Sequence, residues 1–185
     1  MKIKILNLTK ENLKDTPEWK NHPFSCKYCI YWEFPELCID PLKEEKQEMF
    51  LKKLQWLQKT HKIFGNCGKI AYISNKAVAY AQYAPPELLP NSKNYQAGPP
   101  NKDAVLISCL FIPQKEFQHL GIGSQVLQNI IHELKERKIK AIETFARKNN
   151  PANPSGPVAF YLKNRFKIIK DDVEFPLLRL TLSAH

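Results

Sequence analysis

The 185 residues include 43% hydrophobic and 25% charged side chains, proportions of one soluble globular domain that exclude disordered and collagen-like chains. A net charge of +10 favours anionic partners, but the lysines and arginines are scattered, the densest run (Lys135 to Lys140) contains Glu136, and no recognition motif accompanies them, so nucleic acid is not an expected partner. Met1 to Lys10 lacks the apolar core of a signal peptide, and Ala104 to Pro113 is shorter than the roughly 20 residues of a membrane helix, so the expectation is a cytoplasmic protein away from membranes with its five cysteines reduced.

In chain order, Lys2 to Leu6 alternates like a strand, and Leu13 to Trp19 reads as a short helix interrupted at Pro17. From His22 to Cys38, cysteines, aromatics and prolines crowd together without a regular period. Asp40-Pro41 is a plausible cap and first turn for a helix running to about Thr60, with Met49, Phe50, Leu54 and Leu57 as its apolar stripe. Lys69 to Ser74 and Lys76 to Ala84 read as a hairpin turning at Ser74-Asn75-Lys76. Five prolines between Pro85 and Pro100 predict a long surface loop. Val105 to Ile112 is apolar enough for a strand buried on both faces. A glycine turn and a helix from Ser124 to about Arg137 follow, then a strand at Ala141 to Ala146, a short helix through Tyr161, and strands at Phe166 to Ile169 and Phe175 to Leu182. These elements predict an α/β (α+β) domain, with no internal repeat.

The glycine turn carries chemistry. Gly121 and Gly123 have no side chain to obstruct a ligand, and the following helix starts with unpaired N–H groups at the positive end of its dipole, a place suited to phosphate. The turn has neither the Gly-x-x-x-x-Gly-Lys pattern nor the full Gly-x-Gly-x-x-Gly fingerprint of nucleotide-binding folds. Leu110-Phe111-Ile112-Pro113 followed by Gln118-His119-Leu120-Gly121-Ile122-Gly123-Ser124 resembles the acyl-CoA-binding motif of the GNAT superfamily of N-acetyltransferases, commonly written Arg/Gln-x-x-Gly-x-Gly/Ala. Ala159 to Phe166 is similar to its second motif, with Arg165 where a glycine is usual, and the order of elements over about residues 66 to 182 agrees.

The resemblance implies a mixed, mostly antiparallel sheet of six to seven strands, splayed at the cofactor site and flanked by helices. Residues 65–185 would form the acyl-CoA-binding core and 1–64 a variable acceptor-side segment of one domain. It implies that acetyl-CoA lies against Leu110, Phe111, Ile112 and the Gln118 to Ser124 loop, with the backbone of Leu110 and Ile112 pairing with the pantetheine arm and Asn153 a further contact. Pro154-Ser155-Gly156-Pro157 departs from the usual spacing there. It also implies an acyltransferase that moves an acetyl or short acyl group directly to a primary amine of a small molecule or peptide. Apart from the resemblance, a monomer or homodimer is expected. Tyr161 matches the general acid. Rival readings are an acyl-CoA sensor without turnover and a basic nucleic-acid-binding protein.

Glu143, a carboxylate inside an apolar strand, is the first candidate for the base, against an ion pair with Arg147; Glu33 is the second. Tyr31, Trp32, Glu33 and Tyr83 are the candidate acceptor-side residues. Cys26-x-x-Cys29 with Cys38 falls short of the four ligands of structural zinc, so no metal is expected, and no histidine near Cys109 marks it as a nucleophile.

Overall fold

Seven strands form one sheet in the computed structural model, which describes residues 2–19, 25–37, 46–150 and 153–182. The order is β1 (Ile3–Asn7), β2 (Gly68–Ile73), β3 (Lys76–Ala84), β4 (Ala104–Phe111), β5 (Ala141–Phe145), β7 (Leu177–Thr181), β6 (Lys167–Lys170), and every pair is antiparallel except β4 with β5. That one parallel pair needs a crossover, which α2 (Ile122–Glu136) supplies. The β2–β3 hairpin turns where expected, with Ser74 and Asn75 at φ +48° and +63°, both left-handed as a two-residue hairpin turn of matching twist requires.

Each face of the sheet covers a core. On one, Val126, Leu127, Ile130, Ile131 and Leu134 of α2 pack with Val105, Ile107 and Leu110 of β4 and with Tyr161 of α3 (Val158–Lys163). On the other, Trp56 and Leu57 of α1 (Lys46–Ile63) meet Trp32, Tyr80, Leu106 and Phe145. The expected cap at Asp40-Pro41, like His22, Phe24 and Cys38, lies outside the described residues.

Two segments differ from their sequence reading. Leu13 to Trp19 forms only a 3-10 turn at Leu13–Asp15, because Thr16 is extended ahead of Pro17. The proline-rich stretch is no loose surface loop: it winds through two 3-10 turns and buries Leu89, Ser92 and Ala97 as a cover over the second core. Proline fixes the bends, and the intervening small and apolar residues fill the space beneath them.

The second core contains a buried ion pair. Lys53 is in phase with Met49, Trp56, Leu57 and Thr60, the buried residues of α1, and its ammonium meets Glu33 Oε1 at 2.5 Å and Gln82 Oε1 at 2.7 Å. Gln82 Nε2 donates to Glu33 Oε1 at 2.6 Å, and the Tyr80 hydroxyl donates to Gln82 Oε1. Burial opposes the Lys53 charge, but Glu33, with Cys29 and Cys109 beside it, offsets that cost and holds the ammonium above its ordinary range. This knot pins α1 and the segment 25–37 onto β3. Lys53→Ala, which leaves Glu33 buried without its counter-ion, is expected to lower the urea unfolding free energy by about 3–5 kcal/mol, and the double change Lys53→Met with Glu33→Leu to recover most of the loss.

Candidate active site

Four rungs join β4 to β5, from Ala104–Ala141 to Ile107–Thr144, and then the two strands part. β4 continues to Phe111, so beyond Ile107 its edge faces a slot. Thr144 closes the head of the slot by donating its hydroxyl to Ile107 O at 2.9 Å. Further along, Leu110 N–H donates to Pro154 O at 2.9 Å. Arg147 N–H donates to Gly156 O, and Val158 N–H to Arg147 O. Residues 153–157 thus form a strap laid into the slot, taking one position of the strand that is missing there.

Under the strap lies Tyr161, fully buried, its ring packed edge-on to Phe160 and Phe166 at 5.1 and 5.2 Å. Its hydroxyl sits by that of Thr144 but has no hydrogen bond of good geometry among the described residues. Burial pushes its pKa well above the ordinary phenol range, so it holds its proton at neutral pH. Gly156, at φ +76°, passes directly over the ring: a Cβ there would stand 3.2 Å from Tyr161 Cε2, 3.5 Å from the hydroxyl and 3.7 Å from Leu110 O. A buried hydroxyl without a partner, next to a carbonyl on an open strand edge, has the makings of a proton donor to a ligand in the slot.

The slot leads to the glycine turn. Gly121 is the N-cap of α2, at φ +78°, with open space within 4 Å of where a Cβ would stand and no side chain capping the helix. The first N–H groups of α2 therefore lack helix partners at a site free of obstruction. Ile122 is buried and anchors the turn, Leu120 is half exposed, and His119 takes φ +59°. Gln118 does not reach outward: its amide donates to Ile112 O at 2.8 Å and fixes the turn to the end of β4. Asn153 likewise folds inward, its Oδ1 accepting from Ser155 N–H, so it shapes the strap. Ser124 lies in the first turn of α2, and Phe111 closes β4 on the opposite side, against Trp19 at 4.5 Å.

The acceptor-side residues divide between the faces. Trp32 stacks on Tyr95 (5.2 Å, 6°) and Tyr95 on Phe145 at the end of β5 (4.3 Å, 19°), with Tyr31 edge-on to Trp32 and 40% exposed. Glu33 is on this same face, and its Oε2 has no hydrogen-bond partner among the described residues. Tyr83 is not with them. It points beneath α2, where its hydroxyl bonds Glu133 and receives Asn66, because alternation along β3 puts Ala81 and Tyr83 on the face opposite Tyr80 and Ala84.

Glu143 is also differently placed from its reading as a base. Its carboxylate, wholly buried, accepts from Asn101 N–H (2.8 Å), Asn101 Nδ2 (2.6 Å) and Arg179 (2.6 Å), so both oxygens are engaged in joining β5 to β7 and the preceding loop. Its ion-pair partner is Arg179, while Arg147 pairs with Glu174. Sequence reading missed Lys53, Gln82, Asn101 and Arg179. For Lys53 a signal existed, a lysine in phase with the buried face of α1; for the others none did.

Three of the thiols are held protonated by their surroundings. Cys109 is pushed well above the ordinary thiol range by its contact with Cys26 and by burial, and Cys29 and Cys67 are pushed up to about 12, chiefly by burial. All three stay protonated, which argues against an acyl-carrying cysteine. Among the described residues no group of three or more His, Cys, Asp or Glu is placed to hold a metal ion, and no helix is long and apolar enough to cross a membrane.

A sheet with a slot beside its one parallel pair, a phosphate-ready turn and a proton-bearing hydroxyl at the slot defines an acyltransferase architecture. The sequence model of the acetyltransferase (GNAT) family matches residues 27–165, and the chain belongs to that family, whose acyl donor is an acyl-CoA. The fold is similar to that of the PaiA N-acetyltransferase from Thermoplasma acidophilum in complex with coenzyme A (14% identity, TM-score 0.61, 98% of this chain and 99% of that one). It is likewise similar to an N-acetyltransferase from Staphylococcus aureus Mu50 (14%, 0.62, 99% and 100%) and to the ribosomal-protein-S18-alanine N-acetyltransferase from Escherichia coli (13%, 0.57, 100% and 96%). No curated protein matches the chain by sequence.

Gly121→Val places a branched side chain at a left-handed residue in the mouth of the turn. Calorimetry is expected to show a loss of coenzyme A affinity of at least tenfold, with α2 still folded by circular dichroism.

Proposed function

We propose that this chain is an N-acetyltransferase that moves an acetyl or short acyl group from acetyl-CoA to a primary amine, on a small molecule or a peptide, by direct attack in a ternary complex. The observation that carries the reading is the slot beside Leu110, with the proton-bearing Tyr161 hydroxyl left unpaired beneath it. The residues present fit the cofactor: the open turn at Gly121 and the N-terminus of α2 suit a pyrophosphate, and the free edge of β4 suits an extended amide-bearing arm. Acetyl-CoA supplies an activated thioester; the chain supplies placement and two proton positions. Holding two reactants side by side can remove on the order of 7–11 kcal/mol from a bimolecular barrier.

In this reading Pro154 O releases Leu110 N–H, which then faces the slot as a backbone donor. Tyr161 gives its hydroxyl proton to the departing thiolate. Glu33 is the better base than Glu143, because one of its oxygens is unengaged whereas both oxygens of Glu143 are taken up by Asn101 and Arg179. The Glu33 partner Gln82, on β3, pairs in register with Cys109, one residue before Leu110, so the Glu33 carboxylate is bonded to the strand next to the slot-bearing one. Trp32 and Tyr31 are proposed to wall the acceptor pocket. Residues 1–64 would be the acceptor-side part of one domain and 65–185 its cofactor-binding part, in a cytoplasmic enzyme acting as a monomer or homodimer.

Thiol release from acetyl-CoA over a panel of primary amines tests the proposal. Tyr161→Phe is expected to lower kcat by about 10²-fold or more with coenzyme A affinity nearly unchanged. Glu33→Gln is expected to lower kcat by about tenfold or more with coenzyme A affinity nearly unchanged, while Glu143→Gln lowers thermal stability and leaves kcat within about twofold. Failure of every amine to release thiol, at any protein concentration, would count against the proposal.

A further inference from the structure

The C-terminus of α3 is built as a Schellman motif: Phe166 N–H donates to Tyr161 O at 3.1 Å and Arg165 N–H to Leu162 O at 3.0 Å, with the Tyr161 and Phe166 rings in contact. The residue after the cap in this motif is left-handed, and here it is Arg165 at φ +69°. Glycine takes that conformation freely and arginine does not. The choice of side chain therefore works against the turn, and the turn gives no reason for it.

What Arg165 does contribute to is a cavity of about 420 Å³ between α2, α3 and β7. Its polar lining is Gln128, Lys135, Lys163, Asn164, Arg165 and Thr181, over an apolar floor that includes Ile131 and Leu182. There are three cations and no carboxylate. None of the three is ion-paired among the described residues, and Glu136, the acid nearest Lys135 in sequence, is turned to His132 at 3.3 Å. Lys135 and Lys163 lie in the last turns of their helices and complement the dipoles there, but that accounts for neither Arg165 nor their convergence on one cavity.

We propose that this cavity is a binding site for a phosphomonoester, held by Arg165 as a planar two-pronged donor with Lys135 and Lys163 as flanking charges and the amide of Gln128, held only at 3.5 Å by Asn164, as a further donor. The apolar floor suits a ligand that carries a flat or aliphatic body beside its phosphate. The site is separate from the glycine turn: Ile131 is eight residues beyond Gly123, about 12 Å along the axis of α2. Both lie along the same pair of helices, which meet where Phe160 stands near Gly123 and where Gln128 reaches Asn164 at 3.5 Å. The phosphate ester can thus belong to the acyl donor, as its ribose 3′-phosphate, or to a separate small metabolite.

Arg165→Gly separates binding from folding, since glycine is the better residue for the turn and the variant is expected to be at least as stable as the parent. The full chain is titrated by calorimetry with adenosine 3′-monophosphate, with adenosine as the uncharged control, and with coenzyme A against dephospho-coenzyme A. The expected result is binding of the monophosphate, none of adenosine, and a loss of about tenfold in Arg165→Gly that Gly121→Val does not share. If the donor is the source, the preference for coenzyme A over its dephospho form collapses in Arg165→Gly. If a separate metabolite is the source, the monophosphate still binds protein saturated with coenzyme A. Equal affinities of parent and Arg165→Gly for both the monophosphate and coenzyme A would overturn the proposal. The monophosphate titration needs no acyl transfer, so the phosphate site and the acyltransferase reading stand or fall separately.

Discussion

The parting of β4 from β5 is the constraint on which the rest of this structure depends. A parallel pair is joined by evenly spaced bonds that can run the full length of both strands, yet here pairing stops after four rungs, at Ile107 and Thr144. Buried backbone donors and acceptors beyond that point need other partners. The chain meets the need twice over with its own groups, through the Thr144 hydroxyl and the Pro154 carbonyl. The elements that complete the site follow from the same divergence: α2 begins where β4 runs free, and α3 brings Tyr161 under the gap.

The opposite face of the sheet solves a different problem. A polar knot of Lys53, Glu33, Gln82 and Tyr80 lies within an otherwise apolar core, beside the stacked Trp32, Tyr95 and Phe145. Burying charges costs several kcal/mol per ion, which close pairing and further hydrogen bonds offset only in part. Such a cluster is a poor way to gain stability but fixes the path of the segment 25–37 across β3, which an all-apolar contact would not specify as closely. The same arrangement carries Trp32 and Tyr31 to the end of β5.

Much of this was legible in the sequence because local patterns and family resemblance agreed. The apolar run of β4, the glycine turn, the stripe on α2 and the Ser74-Asn75 hairpin each carry a local physical signature, and each element lies within a residue or two of its expected place. The burial of the proline-rich stretch was not legible, since composition reports its bends and not what lies beneath them. Glu143 illustrates the limit. A carboxylate in an apolar strand signals that something must pair with it, but its partners, Asn101 and Arg179, come from 42 and 36 residues away and are chosen by the pairing of β5 with β7. Tyr83 shows a shorter-range limit: alternation along β3 separates it from Tyr80, but which face meets α2 and which meets Trp32 is decided by the packing of the whole sheet.

The strap over Leu110 bears on how tightly any extended ligand can be held. In the proposed mode of binding, strap and ligand need the same backbone donor, so a ligand is bound only by open molecules, those in which Pro154 has released Leu110. Measured affinity is then the intrinsic affinity reduced by the open fraction. Sequence changes at Pro154, Ser155 or Gly156 can tune that fraction without touching a ligand contact. In an enzyme that must release its spent cofactor after each turnover, a segment of the chain that reclaims the slot also hastens the exit of whatever occupied it.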